Sequence, residues 1–220
     1  MFEKILIANR GEIAARIIRT CRRMGVKTVA VYSEADVRSQ YVAEADESAF
    51  IGPAPAKQSF LNREKIIDTA VRHGCQAVHP GYGFFAENAG FAEAVQRAGL
   101  VFIGPSPAAI AQLGDKVAAN ALARRIGIPV VPGYEGSLDD PEVIRREISG
   151  IGYPLLLKPA AGGGGRGMRI VHSEEELAPA LETCREETRK SFGDDRIFIE
   201  RYIVKPRHIE FQVLADSFGN

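Results

Sequence analysis

Lys158 and Arg166 bracket four consecutive glycines in the stretch Lys158-Pro159-Ala160-Ala161-Gly162-Gly163-Gly164-Gly165-Arg166-Gly167-Met168-Arg169. Glycine loses more backbone entropy on folding than any other residue, so a run of it needs a reason. Without Cβ atoms, successive N–H groups lie open to an anion, and the flanking cations add attraction. The chemistry this composition suits is the cradling of phosphate. The spacing Gly162, Gly164, Gly167 matches G-x-G-x-x-G, but a glycine run matches almost any glycine pattern, and the dinucleotide fingerprint needs a helix directly after the loop. A Walker A loop ends in Gly-Lys-Ser/Thr, whereas Gly167 is followed by Met168. What remains is an apolar run before the loop, Leu155-Leu156-Leu157, and another after it, Ile170-Val171. That predicts a glycine hairpin between two strands, able to close over a nucleotide's phosphates. A flexible linker would carry serine and lack the apolar flanks.

Four other places hold residues with chemical potential. Asn9 and Arg10 follow the first apolar run, at the carboxyl end of a strand, where open α/β sheets place ligands; equally, Asn9 could cap the next helix and Arg10 lie on the surface. The stretch His79-Pro80-Gly81-Tyr82-Gly83-Phe84-Phe85-Ala86-Glu87-Asn88 predicts a tight loop. Its aromatic residues either plug the core or line a pocket for a flat small molecule. Lys116 stands near the start of a helix, where a cation opposes the helix dipole; it either reaches a phosphate or is simply exposed. Arg16, Arg19 and Arg23 form a stripe that suits either a solvated face or a subunit interface, where arginine is enriched.

The elements that must position these residues follow from periodicity. Strands are expected at 4–8, 28–32, 49–51, 77–78 and 101–103. Helices are expected at 12–24, with Ile13, Ile17, Cys21 and Met24 on its apolar face, and at 65–73 and 91–98. Strands alternating with helices predict a parallel sheet covered on both faces, Rossmann-like in layout, over 1–114. Its first strand–helix turn, Ala8-Asn9-Arg10-Gly11-Glu12, has one glycine where a dinucleotide site needs three. After Gly104-Pro105-Ser106-Pro107 the composition shifts. A helix at 115–126, an extended piece at 130–133, and a helix opened by Asp140-Pro141 follow. Then come the glycine hairpin and a helix from Ser173, with Glu176 completing a capping box. Pro179 predicts a kink or a later start for that helix. A strand is expected at 197–200. Alternation at 207–215 (Ile209, Phe211 and Val213 against His208, Glu210 and Gln212) predicts a half-buried antiparallel strand.

Bulk properties narrow the class. The 220 residues allow one or two domains. Twenty-eight basic and 28 acidic residues cancel, which argues against a broad nucleic-acid footprint. No apolar segment approaches a membrane span. The amino terminus enters a strand at once, with no secretory or transit signal, so a cytoplasmic protein is expected, with a mitochondrial parent left open. Three distant cysteines, Cys21, Cys75 and Cys184, favour reduced thiols over disulfides or zinc.

Taken together, Ile7-Ala8-Asn9-Arg10-Gly11-Glu12-Ile13-Ala14, residues 79–88, Gly114-Asp115-Lys116, residues 158–169 and Arg207-His208-Ile209-Glu210 resemble biotin carboxylase, an ATP-grasp ligase. The likeness runs from end to end; Ala86 departs from it, the family usually having serine. The resemblance implies a Rossmann-like amino-terminal domain at 1–114 and the first part of an ATP-grasp domain at 115–220, with a lid lobe at about 132–202. It implies that ATP phosphorylates bicarbonate to carboxyphosphate and that CO₂ passes to a ureido nitrogen of carrier-bound biotin. By the same resemblance, ATP contacts Lys116, Lys158, Gly164, Gly165, Glu200, Arg201, Tyr202 and Ile203, with His208 near the nucleotide. Tyr82 and Gly83 are implied near biotin, and Arg16 and Arg19 at a homodimer interface. The implied partners are a biotin carboxyl carrier protein or domain and a carboxyltransferase; no nucleic acid or membrane is implied. The Mg²⁺ ligands and the catalytic residues are expected after Asn220, so the chain by itself is expected to be inactive. Two other readings stand beside this one: a carbamoyl-phosphate synthetase relative and a non-catalytic nucleotide-binding module. An NAD oxidoreductase is opposed by the strand predicted after Gly167.

Overall fold

The structure is a computed structural model that describes residues 1–114, 116–159, 167–192, 196–216 and 218–220, with side chains at all of these except 116, 117, 191 and 192. The chain divides into two units, Met1–Ala119 and Asn120–Asn220.

The first unit is built on five parallel strands: β1 (Lys4–Ile7), β2 (Lys27–Ser33), β3 (Glu47–Gly52), β4 (Ala77–His79) and β5 (Val101–Phe102). Their order is β3-β2-β1-β4-β5. The chain therefore starts in the middle of the sheet, grows to one side, then returns to grow on the other. Strands buried on both faces carry continuous apolar runs, and Ile5-Leu6-Ile7-Ala8 is one. Ile5 and Ile7 pack under α1 (Gly11–Met24) with Ala14, Ile17, Ile18 and Cys21. Leu6 and Ala8 face the other way, against Ile66 and Ala70 of α3 (Arg63–Arg72) and Phe91 and Val95 of α4 (Ala89–Arg97). The apolar face of α1 thus differs from the expected one. Met24 is 53% exposed, and small alanines, invisible to a search for large apolar residues, take its place in the core.

Two helices were not legible. α2 (Gln40–Glu44) is a single short turn that brings Tyr41 into the core, and α5 (Pro107–Gly114) follows the expected composition shift. Pro107 opens α5, where its missing N–H costs nothing, and Ser106 Oγ accepts from Ala109 N at 3.2 Å. α6 (Lys116–Arg125) then crosses from the first unit into the second.

The second unit is an antiparallel sheet of β6 (Gly133–Tyr134), β9 (Ile197–Arg201), β7 (Leu155–Pro159) and β8 (Arg169–Val171), in that order. α7 (Pro141–Ile151) and α8 (Glu174–Phe192) share one core with it, through Ile144, Ile148, Leu177, Leu181, Leu155, Leu157 and Ile199. Asp140 caps α7 by accepting from Glu142 N at 2.9 Å, with Pro141 in the first turn as expected. At α8 the entry is fastened one residue earlier than expected: Glu176 Oε2 accepts from His172 N at 2.8 Å. Pro179 neither delays nor ends this helix. It lies in the second turn, where its missing N–H leaves the Glu175 carbonyl without the usual i+4 donor, and the helix runs on to Phe192.

The expected strand at 207–215 is absent. No described strand pairs with that segment, and Phe211 is 89% exposed. An alternating sequence becomes a strand only when another strand satisfies its backbone groups. No helix among the described residues is long and apolar enough to cross a membrane.

Candidate functional site

In the second unit, β7 and β8 form the predicted hairpin, with Leu155 opposite Val171 and Leu157 opposite Arg169. The strand after Gly167 is therefore present, and the helix a dinucleotide fingerprint would require is not. Alternation sends Leu155 and Leu157 toward the helices and Lys158 to the opposite face. On β9, Glu200 pairs with Leu156, two residues before Lys158, which itself pairs with Phe198, so Glu200 lies diagonally across from Lys158 on the same face. The Lys158 ammonium and the Glu200 carboxylate form an ion pair. This face, opposite the helices, carries a half-buried ammonium suited to a phosphate oxygen and a half-buried carboxylate able to accept from an N–H group, side by side.

The return limb of the hairpin is fastened to α8. Gly167 has φ +73°, and a Cβ there would stand 3.1 Å from Pro159 Cγ and 3.7 Å from Thr188 Oγ1. Cys184 Sγ donates to Gly167 O at 3.0 Å, and Arg169 Nη2 pairs with Glu187 at 2.6 Å. All three cysteines are buried and free. Burial pushes the Cys75 thiol up to about 11 and raises those of Cys21 and Cys184.

The other expected nucleotide residues divide. Arg201 N donates to Pro132 O and Tyr202 N to Pro154 O, at 2.9 and 2.8 Å, so both backbone donors are already used within the unit. Ile203 is exposed. His208 is exposed, with Nε2 2.6 Å from Glu210, in the segment that forms no strand. The Lys116 side chain, Gly164 and Gly165 lie outside what the structure describes. The described residues contain no group of three or more His, Cys, Asp or Glu side chains able to hold a metal.

In the first unit, the carboxyl edge of the sheet is occupied by the chain itself. Asn9 is neither cap nor free ligand: Arg10 is the N-cap of α1, with no side-chain cap. The Asn9 amide is 3% exposed and donates to Pro80 O and Tyr82 O, both at 2.7 Å. Arg10 is not merely a surface residue either. It pairs with buried Asp36 through Nε at 2.8 Å and Nη2 at 2.5 Å, with its guanidinium 5.8 Å from the centre of the Phe60 ring. Sequence reasoning missed Asp36 and Phe60, although Ser33-x-x-Asp36 carries a capping-box spacing, which the structure forms. Both phenylalanines of the 79–88 loop are core plugs: Phe85 stacks on Phe91 and Phe84 on Phe60. Tyr82 is exposed and its hydroxyl donates to Glu12. His79 Nδ1 accepts from Gly81 N at 3.1 Å; burial lowers its pKa, in keeping with a neutral ring. Arg16 contacts Thr20 at 2.5 Å and Arg19 lies 3.7 Å from Glu44.

A family model described as biotin carboxylase, N-terminal domain, matches residues 1–110, and one described as carbamoyl-phosphate synthase L chain, ATP binding domain, matches residues 115–220. The chain is 54% identical to a biotin carboxylase of Allochromatium vinosum, covering 100% of this chain and 49% of that one. It is 54% identical to the mitochondrial methylcrotonoyl-CoA carboxylase subunit alpha of Dictyostelium discoideum, over 99% of this chain and 31% of that one. Among solved structures, the biotin carboxylase–β,γ-ATP complex of Campylobacter jejuni superposes with a TM-score of 0.91 at 46% identity, covering 100% of this chain and 49% of that one. The biotin carboxylase domain dimer of Hydrogenobacter thermophilus 2-oxoglutarate carboxylase, in complex with MgADP, ADP and bicarbonate, gives 0.82 at 47% identity, over 92% and 45%. The chain thus spans about a third to a half of the relatives it matches.

Proposed function

Since this chain belongs to the biotin carboxylase family, we propose that it is the amino-terminal part of a ligase that uses ATP and bicarbonate to carboxylate biotin on a carrier protein or domain. The observation that carries this reading is the half-buried Lys158–Glu200 ion pair, with Lys158 four residues before the glycine run in the sequence. In the proposed reaction a bicarbonate oxygen attacks the γ-phosphorus of ATP and ADP leaves. Carboxyphosphate then breaks down to CO₂ and phosphate, and a ureido nitrogen of biotin gives up its proton to that phosphate and bonds to the CO₂. Phosphoryl transfer asks the protein mainly for positioning and charge neutralisation. In this chain Lys158 and Lys116 would face phosphate oxygens, Gly164 and Gly165 would donate N–H groups, and residues 200–203 would hold the base, with His208 close by. Tyr82 and Gly83 would flank biotin. The described residues do not make a complete Mg²⁺ site, since they hold no group of three or more His, Cys, Asp or Glu side chains able to bind one.

We read 1–114 as the amino-terminal domain and 115–220 as the first part of the ATP-grasp domain, with 132–202 as its lid lobe. The biotin carboxylase match over 1–110 favours this reading over a carbamoyl-phosphate synthetase relative. Arg16 and Arg19 would lie in a homodimer interface, and a carboxyltransferase would consume the carboxybiotin. Three free cysteines fit a reducing compartment such as the cytoplasm. The test is ADP release by the complete subunit with and without bicarbonate and biotin. Bicarbonate-dependent release that biotin stimulates is expected, and release indifferent to both would overturn the proposal. The 220-residue chain alone should bind nucleotide weakly and show no bicarbonate-stimulated turnover.

A further inference from the structure

Open α/β sheets bind ligands at the carboxyl ends of the strands, where the strand order reverses. Here that switch lies between β1 and β4. Asn9 follows β1, and the 80–84 loop follows His79, the last residue of β4. Both N–H bonds of the Asn9 amide cross the switch, to Pro80 O and Tyr82 O, while Oδ1 accepts from Arg10 N at 2.8 Å. Gly81, between the two bonded carbonyls, has φ +66°, and a Cβ there would lie 2.9 Å from Asn9 Nδ2. A side chain at position 81 would therefore press on the Asn9 amide.

Its far side is held too. Phe84 has φ +41°, a conformation costly for a bulky residue, and its ring lies flat on Phe60 at 5.2 Å and 3°. Gly83 stands between these two fastenings, with nothing within 4 Å of the place a Cβ would take. A strained loop, clamped on both sides and tied again at Tyr82 by the bond from its hydroxyl to Glu12, is built to present Tyr82 and Gly83 in one geometry.

We propose that Asn9 is a positioning residue for the 80–84 loop, fixing Tyr82 and Gly83 for biotin through the carbonyls of Pro80 and Tyr82 without itself touching substrate. The proposal rests on the reading of Tyr82 and Gly83 as biotin neighbours. Asn9→Asp keeps the size of the side chain but turns two donors into a carboxylate facing two carbonyls. Gly81→Ala loads the same contact from the loop side and serves if Asn9→Asp does not fold. Tyr82→Ala tests the underlying reading.

In the complete subunit, with free biotin as substrate, Asn9→Asp and Gly81→Ala should each raise the KM for biotin about tenfold or more, as loss of one or two buried hydrogen bonds implies. The KM for ATP should stay within about twofold by the same conversion. If Tyr82→Ala raises the KM for biotin and the other two variants do not, the positioning role of Asn9 is wrong. If all constants shift together with a lowered melting temperature, Asn9 is only structural and the proposal fails. If Tyr82→Ala changes nothing, the loop is no biotin site, and both the reading and the inference fall.

Discussion

Lys158 is the first residue of β7 beyond its pairing with β8, and in this structure Glu200 holds its ammonium. A phosphate oxygen would compete for the same donor. A charge-assisted contact of this kind is worth about 1.5–3 kcal/mol, roughly ten- to a hundredfold in affinity. Lys158→Gln in the complete subunit should therefore raise the KM for ATP by that factor and that for biotin much less; unchanged ATP kinetics would remove Lys158 from the site. His79 gives a pH prediction. Its folded pKa lies below the ordinary 6.5 because of burial. As pH drops below 6.5 the unfolded chain takes up the proton first, so stability is full above that pH and is lost on acidification. Glu47, lowered chiefly by its hydrogen bond to Lys4, adds a loss of the same sign at lower pH, below 4.5. Thermal melts of the first unit should drop between pH 7 and pH 5. His79→Asn, which can still accept from Gly81 N, should flatten that drop, and an equally steep drop in the variant would show that other groups cause it.

At the scale of the element, the glycine hairpin depends on how its return limb meets α8. Gly167 combines a left-handed backbone with a close approach to Pro159. Gly167→Ala should cost roughly 1–3 kcal/mol, the range for a strained backbone position, seen as a lower urea midpoint by circular dichroism. A midpoint equal to wild type would mean that the limb shifts freely and is not pinned. The hairpin and the Asp140-Pro141 cap were legible because each signal lies within a few residues. The continuity of α8 through Pro179 was not, since tolerance of proline depends on its place in the helix and on the core beneath.

On the scale of the whole molecule, the units Met1–Ala119 and Asn120–Asn220 have separate cores. Leu157 is fully buried in the second core and Phe91 in the first. Leu157→Ala should cost about 2–5 kcal/mol and Phe91→Ala about 3–5 kcal/mol. In scanning calorimetry each should lower a different transition. Both variants shifting one common transition would mean that the units unfold together.

The sequence by itself determined the alternation of strand and helix that makes a parallel sheet, the hairpin around the glycines and the capped start at Asp140. These follow from backbone propensities and from side-chain period along a short stretch of chain. Only the tertiary structure decided that Asn9 reaches across 71 residues to Pro80 and that Lys158 meets Glu200 42 residues away. The same holds for Arg10, whose place between Asp36 and Phe60 no local signal announces. Residues 207–215 make the point in reverse: their alternation is written in the sequence, but a strand exists only where a second strand accepts its hydrogen bonds, and none of the described strands does.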